Sequence, residues 1–539
     1  MFRRALTSID EGAYRRHLVA VAADTGIDAA IAANLDALRK PGVLSVRSGY
    51  KVVGGWPTRK PAIVVTVERK TDEVPDQDRL PDKIDGFPVD VRQASPLKAL
   101  ELKNPAHYEA IVDRLPAEQR VARFPDEHLL QASAEEAPLA PLAAKPHLDY
   151  VPPTGATLDP VEDDFTITCH ASPDAGWPTL SKFFQGIGDQ LIVGLYDFTS
   201  AHVLDGLEAA LDGKRLDLVL DHPALNHTAD QSDEATHTDL QTKLGDRLHF
   251  AWALEGSDPF AAVAVFKNAY HIKVAVRDQE SFWLSSGNWN NSNQPDIDPV
   301  DNPADAPAAK KVDRDWHVIV EHPGLSKTFA AYLENDLDVA AAHQAPAALQ
   351  PAAAEELPLQ PRALTPRDFV QFFAPKTFTD HMCIRPLLTP DPGVYSGAVT
   401  DLIRSATQTL YIQTQYAHPS SHAEDQVFTD LLAAVVDRQR AGVDVRMIFS
   451  QFETTNHLEK MQAMGFDLSQ VRLQQGVHNK GIVRDGTAVL ISSQNWSADG
   501  VLRNRDAGVI IEHPGIAQYF QQIFLHDWTN LARQQALDG

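Results

Sequence analysis

Two segments of the chain carry apolar and mixed stretches in the same order. In the first, the apolar run Leu191–Leu195 predicts a strand, Ala201–Leu211 spaces its apolar residues as a helix does, and Leu216–Leu220 predicts another strand. The second repeats this as Leu410–Thr414, Val427–Arg440 and Val443–Ser450. Each segment opens on a Pro-Asp turn, Ser172–Asp174 and Thr389–Asp391, and apolar strands such as Ala488–Ser492 follow later. Near the ends, Asp313-Arg-Asp315 with a run closing in Glu-His-Pro-Gly324 is echoed by Asn504-Arg-Asp506 with a run closing in Glu-His-Pro-Gly515. A helix closes each half, in the second through Phe524–Trp528. Alternating strands and helices predict an α/β sandwich, and the duplication predicts a pseudo-two-fold axis that brings like segments together.

Ahead of this duplication the pattern differs. Helical spacing over Ile27–Leu38 gives way to strands at Val43–Val53, Ala62–Val67 and Phe87–Val91, with a Gly54-Gly55 turn. This predicts a small α+β module over residues 1–130. It resembles a segment found ahead of some bacterial trypsin-like peptidases, but no Ser/His/Asp set follows it, and it carries no assigned role. Pro/Ala-rich stretches without periodicity, 131–165 and 340–366, read as linkers. They leave 166–339 and 367–539 as the two repeats.

Within the repeats one polar phrase is written twice. His271-Ile-Lys273, four residues, Asp278, seven residues and Ser286-Gly-Asn288 recur as His478-Asn-Lys480, Asp485 and Ser493-Gln-Asn495 at the same spacing. The phrase gathers an imidazole, an ammonium, a hydroxyl and a carboxamide, the groups that grip and attack a phosphate. A lone histidine is usually structural; two in matched patterns point to chemistry. Trp289 and Trp496, which follow each copy, read as packing residues. His322 and His513 of the Glu-His-Pro-Gly ends read as strand-to-helix connections. His222, His227 and His237 with Asp221 and Asp233 are spaced irregularly and read as an insertion loop rather than a metal site.

Composition narrows the partners. With 48 Lys+Arg against 73 Asp+Glu in 539 residues, the formal charge is −25, which repels polyanions and anionic membranes at long range. No apolar run reaches the roughly 18 residues of a membrane span, and acidic and basic residues interrupt the N-terminus before a signal-peptide core forms. The reading is cytoplasmic, with non-classical export left open. The two cysteines, Cys169 and Cys383, build neither a zinc site nor a disulfide framework and are read as buried free thiols, one bridge between the halves remaining open.

The paired phrase resembles the HKD motif of the phospholipase D superfamily, His-x-Lys-x4-Asp-x6-Gly-Ser-x-Asn, over roughly Thr166 to Asp538. Both copies depart from it at the glycine, replaced here by Ser285 and Ser492. The resemblance implies duplicated half-domains in one chain, a monomer with an internal pseudo-dimer, sharing one site. It implies metal-independent cleavage of a phosphodiester through a phosphohistidine, with no cofactor and no metal. His271 is expected as nucleophile and His478 as acid/base, with Lys273 and Lys480 neutralising the phosphate. Ser286, Asn288, Ser493 and Asn495 are expected on the phosphate side, and Asp315 and Asp506, where the family usually has Glu, as the histidines' orienting carboxylates. Asp278 and Asp485 are expected to hold the motif's own turn. A phospholipid substrate, met by peripheral membrane contact, is favoured over nucleic acid on charge, with transfer to an alcohol as an extension. The alternatives are a nuclease of the same superfamily, suggested by the aromatic after the motif asparagine, and an inactive phosphate-binding scaffold.

Overall fold

The computed structural model describes residues 26–54, 56–71, 74–103, 128–129, 150–221, 230–253, 266, 269–343, 369–420 and 423–533. Most of the two Pro/Ala-rich stretches, together with His222 and His227, lies outside them.

The repeats form one sheet system of fourteen strands, seven from each. The first repeat supplies β6 (Val161–Ser172), β7 (Gln190–Leu195), β8 (Arg215–Leu220), β9 (Leu248–Trp252), β10 (Lys273–Arg277), β11 (Ser281–Ser285) and β12 (Asp315–Glu321). The second supplies β13 (Lys376–Thr389), β14 (Thr409–Thr414), β15 (Asp444–Ser450), β16 (Val471–Gln474), β17 (Lys480–Arg484), β18 (Ala488–Ser492) and β19 (Asp506–Glu512). From the centre outward the orders are β6-β12-β11-β10-β7-β8-β9 and β13-β19-β18-β17-β14-β15-β16, the same topology twice. β6 and β13 pair antiparallel from Lys376↔Cys169 to Ile384↔Val161 and join the halves.

Period-2 alternation then sorts the side chains into layers. Val274, Val276, Phe282 and Leu284 share one core with Val483, Val489, Ile491, Val509 and Ile511, and with Phe329 and Phe520 of the closing helices Pro323–Ala342 and Pro514–His526. The intervening residues face the other way. Ala275, Trp283 and Ile319 pack on the outer helices of the first repeat, and Ile482, Leu490 and Ile510 on those of the second. The expected α/β sandwich of duplicated halves is what the chain forms.

The N-terminal module has a five-stranded sheet ordered β3-β4-β2-β1-β5, built from β1 (Val43–Val53), β2 (Trp56–Val67), β3 (Lys83–Ile84), β4 (Phe87–Gln93) and β5 (His128–Leu129). It docks on the second repeat. Arg47 and Arg92 each reach Glu459 of the helix Thr455–Met464, at 2.8 and 2.9 Å, and Trp56 is buried in that repeat's outer core.

Several elements differ from the sequence expectation. The helical stretch Ile27–Leu38 is broken at Asn34 into Ile27–Ala33 and Leu35–Leu38. Each repeat begins with a long strand ahead of its Pro-Asp turn, and β6 starts at Val161, inside the stretch read as linker. β6 and β13 each carry several charged and polar residues in the N-terminal parts where they pair, which hides them from an apolar-run criterion. Cys169 is buried as expected, but Cys383 is only partly covered, and both are free. The β6–β13 register sets Cys169 opposite Lys376 and Cys383 opposite Glu162, too far apart along the strands to bridge.

Candidate active site

The two histidine phrases come together because each is stitched to the other repeat by backbone. The Arg314 N–H donates to the Gly476 carbonyl at 2.6 Å, and the His478 N–H returns to the Arg314 carbonyl at 3.2 Å. In mirror fashion the Arg505 N–H donates to the Ala269 carbonyl at 2.9 Å. Asp315 and Asp506 open β12 and β19 directly after those arginines.

Their carboxylates therefore cross over. His271 Nδ1 lies 2.8 Å from Asp506 Oδ1, and His478 Nδ1 lies 3.1 Å from Asp315 Oδ1. A carboxylate on Nδ1 fixes the tautomer and leaves chemistry to Nε2. All four groups are buried.

The motif serines hydrogen-bond within the site, to the carboxylates. Ser286 Oγ donates to Asp315 Oδ1 at 2.7 Å and accepts from the Trp316 N–H at 3.1 Å. Ser493 Oγ does the same with Asp506 at 2.5 Å and the Ala507 N–H at 3.0 Å. Their hydroxyls thus brace the carboxylates. The asparagines behave otherwise: the Asn288 Oδ1 and both carboxamide atoms of Asn495 are buried without a hydrogen-bond partner. Such groups are costly unless something arrives to pair with them. Lys273 Nζ donates to the His271 carbonyl at 2.6 Å, while Lys480 Nζ reaches the Ser286 carbonyl of the other repeat at 3.3 Å and lies 3.0 Å from His478 Nε2.

The two carboxylates are not electrostatic twins. Burial works against ionised Asp315, but the charge and hydrogen bond of His478 and the charge of Lys480 outweigh it and draw its carboxyl down to about 2. At Asp506 burial wins over Lys273 and Ser493, and the carboxyl is pushed up to about 7. A local difference accompanies this. Asn293 Nδ2 donates to Asp315 Oδ2 at 2.9 Å, whereas the corresponding position of the second repeat is Gly500, where a Cβ would collide with the Asn495 backbone.

Beneath the pairs lie two buried arginines. Arg314 donates to Asp527 at 2.9 and 3.1 Å and also bonds Asp174. Arg505 donates to Asp336 at 2.7 and 2.5 Å and to the Thr389 carbonyl at 3.1 Å. Each arginine is thus held by the Pro-Asp turn region of its own repeat and the closing helix region of the other. Sequence reasoning missed Asp336 and Asp527, although both fall 22 residues after their arginines (336 − 314 and 527 − 505). It also missed Tyr196, whose ring meets His271 edge-on at 4.9 Å, and Asp197, which accepts from Asn290 Nδ2 at 2.8 Å.

Asp278 and Asp485 hold a turn, but not their own. Asp278 accepts the N–H groups of Gly188, Asp189 and Gln190 ahead of β7, and Asp485 those of Thr407, Gln408 and Thr409 ahead of β14, all at 2.7–2.9 Å. Both stand at positive φ in the turn following their strand, where aspartate is better tolerated than most residues. Ser285, in place of the motif glycine, accepts from the Gly287 N–H at 2.7 Å and meets His317 Nδ1 at 2.6 Å; Ser492 donates to the Lys480 carbonyl at 2.9 Å.

The remaining sequence candidates are structural. His322 and His513 cap their helices, accepting from the Leu325 and Ile516 N–H groups. Trp289 and Trp496 are buried in the outer cores. Asp221 and Asp233 accept backbone N–H groups of Tyr270 and Phe198, and His237 stacks on Phe250 at 3.9 Å, so these three do not converge on an ion. Among the described residues, the group with metal-ligand spacing is His418, Glu453 and His457.

Residues 399–528 match the family model described as cardiolipin synthase, phospholipase D-like domain. A curated phospholipase D of Rickettsia felis is 23% identical over 172 residues, which are 29% of this chain and 84% of that protein. Among solved structures, a phosphatidylserine synthase of Haemophilus influenzae is 14% identical with a TM-score of 0.45, covering 68% of this chain and 87% of its own. A phospholipase D family member, Nuc, from Salmonella typhimurium is 20% identical with a TM-score of 0.24, covering 28% of this chain and 98% of its own.

Proposed function

We propose that the chain is a phospholipase D superfamily member, to which residues 399–528 and a curated phospholipase D are similar, and that it cleaves a phosphodiester by way of a phosphohistidine, without metal in the chemical step, and acts on a phospholipid. The observation that carries this is the crossed pair His271–Asp506 and His478–Asp315, flanked by two buried lysines and the unpaired carboxamide of Asn495.

The asymmetry of the two pairs supports a division of roles. Asp315, held ionised, lies on His478 Nδ1 and orients Nε2, which suits His478 to pass a proton to the leaving group. Asp506, whose carboxyl is pushed up to about 7, lies on His271 Nδ1 and leaves Nε2 to attack. His271 Nε2 bonds to phosphorus as the P–O bond to the leaving alcohol breaks, and that oxygen takes the proton from His478 Nε2. His478 then removes a proton from water, the water oxygen bonds to phosphorus, and the P–N bond breaks to restore His271. An alcohol in place of water gives transfer. Lys273, Lys480 and the asparagine amides offset the charge on the non-bridging oxygens.

Lipid is favoured over nucleic acid by the charge of −25, which opposes a polyanion more than a single phosphate. The nuclease reading rests on the aromatic after the motif asparagine, Trp289 and Trp496, both packed in the outer cores, and the charge is weighed above it. The test is a substrate panel with and without chelator, wild type against His271→Ala. Head-group release from phosphatidylcholine vesicles, lost in the variant, supports the reading. Degradation of DNA alone overturns the substrate, and a phosphoryl label on His478 instead of His271 reverses the roles.

A further inference from the structure

Three titratable side chains outside the paired phrases gather on the second repeat. His418 follows β14, Glu453 follows β15, and His457 lies in the first turn of the helix Thr455–Met464. All three are buried, and one ligand atom of each lies within 4.8 Å of those of the other two. Glu453 also serves the backbone, since the Ala417 N–H donates to its Oε2 at 2.8 Å, as the Phe198 N–H does to Asp233 in the first repeat. The histidines have no such explanation. The His418 N–H bonds the Trp496 carbonyl at 2.7 Å just as the Thr199 N–H bonds the Trp289 carbonyl at 3.1 Å, so His418 occupies the place of a threonine. Its side chain is 93% buried (7% exposed), and neither ring nitrogen has a hydrogen-bond partner.

His457 is arranged as a ligand would be. Its Nδ1 lies 2.9 Å from Thr454 Oγ1 and 3.4 Å from Glu453 Oε1, so the proton belongs on Nδ1. Nε2, fully buried and without a partner, then carries the lone pair. Burial holds both imidazoles well below their ordinary value, so they are neutral and ready to coordinate at physiological pH.

We propose that His418, Glu453 and His457 form a zinc site that fastens the loop after β14 to the helix Thr455–Met464, the helix on which Arg47 and Arg92 of the N-terminal module converge. Two imidazoles and a carboxylate suit a borderline ion in tetrahedral geometry, with water as a fourth ligand. Neighbouring Lys460, whose Nζ reaches the Pro419 carbonyl at 3.4 Å, disfavours ions that lack a strong preference for imidazole. Binding draws the ligand atoms closer and turns the His418 ring out of its 3.8 Å stack on Tyr416 and its tilted 3.8 Å contact with His457. None of the three ligands belongs to the paired phrases, and the role assigned to the ion is to stabilise the fold.

Full-length protein is analysed for bound metal by mass spectrometry, then stripped and titrated with Zn²⁺ and Co²⁺. About one equivalent is expected, with the intense visible bands of tetrahedral cobalt and a raised Tm. The His271→Ala and His478→Ala proteins keep the ion, while His418→Asn and His457→Asn, folded by circular dichroism, lose affinity by about tenfold or more. The proposal falls if wild type takes up no zinc, if the cobalt bands persist in both ligand variants, or if they vanish in His271→Ala. Should the ligand variants not fold, the cobalt bands of wild type against His271→Ala decide the matter.

Discussion

His478 of the second repeat is oriented by Asp315 of the first, 163 residues away in sequence and 3.1 Å away in space. With the reciprocal His271–Asp506 contact at 2.8 Å, each repeat supplies the histidine that the other orients. Asp315→Asn is expected to lower kcat by about 10²–10⁴, the range of a lost acid–base partner. The double variant with His478→Ala is expected to be no slower than His478→Ala alone, because the two act as a unit. Additive losses in steady-state kinetics would separate them.

Asp506 and Asp315 predict opposite pH behaviour. Asp506, raised to about 7, is neutral below and charged above that value, so kcat/KM of wild type is expected to inflect near it and Asp506→Asn to lose the inflection. For stability the sign is set by proton uptake: the native state binds the extra proton between the ordinary 3.8 and about 7. Stability from this group therefore falls as pH rises through that window, by at most about 4 kcal/mol. Asp315, lowered to about 2, contributes stability above 3.8 that is lost as pH falls toward 2. Urea unfolding of both Asn variants across these windows checks the two signs.

The buried arginines make a stability prediction. Asp336→Ala or Asp527→Ala strands a buried guanidinium and is expected to cost about 3–5 kcal/mol. Replacing both partners, Arg505→Met with Asp336→Leu, is expected to recover much of that loss in urea denaturation. A double variant as unstable as the sum of the singles contradicts it.

His322 and His513 test the structural reading of the Glu-His-Pro-Gly ends. As helix caps, each is expected to cost about 1 kcal/mol on conversion to alanine. Values of kcat and KM should stay within twofold or so of wild type. A large fall in kcat with unchanged Tm would make them functional.

Much of this architecture is legible in the sequence because duplication repeats local signals. The β7, β14 and β18 runs, the helices at 201 and 427, and the motif spacing all rest on contacts close along the chain. What stays hidden depends on partners distant in sequence. β6 and β13 are polar at the ends where they meet, so no apolar run announces them. Ser286 and Ser493 carry the right chemistry for a phosphate, and only the folded chain shows their hydroxyls turned onto Asp315 and Asp506. Asp278 and Asp485 lie in one turn and brace another. Asp336 and Asp527 sit at matching distances from their arginines, a signal available to anyone who aligns the repeats to their ends.

Joining two like halves in one chain has a cost and a return for the pair of histidines. An assembly of two identical chains must surround both with the same residues, and each would serve either role equally well. Here Asn293 stands where the other half has Gly500, and Asp197 where it has Tyr416. Fusion lets a single substitution touch one side alone, so the halves are free to drift into a division of labour that a symmetric pair cannot encode.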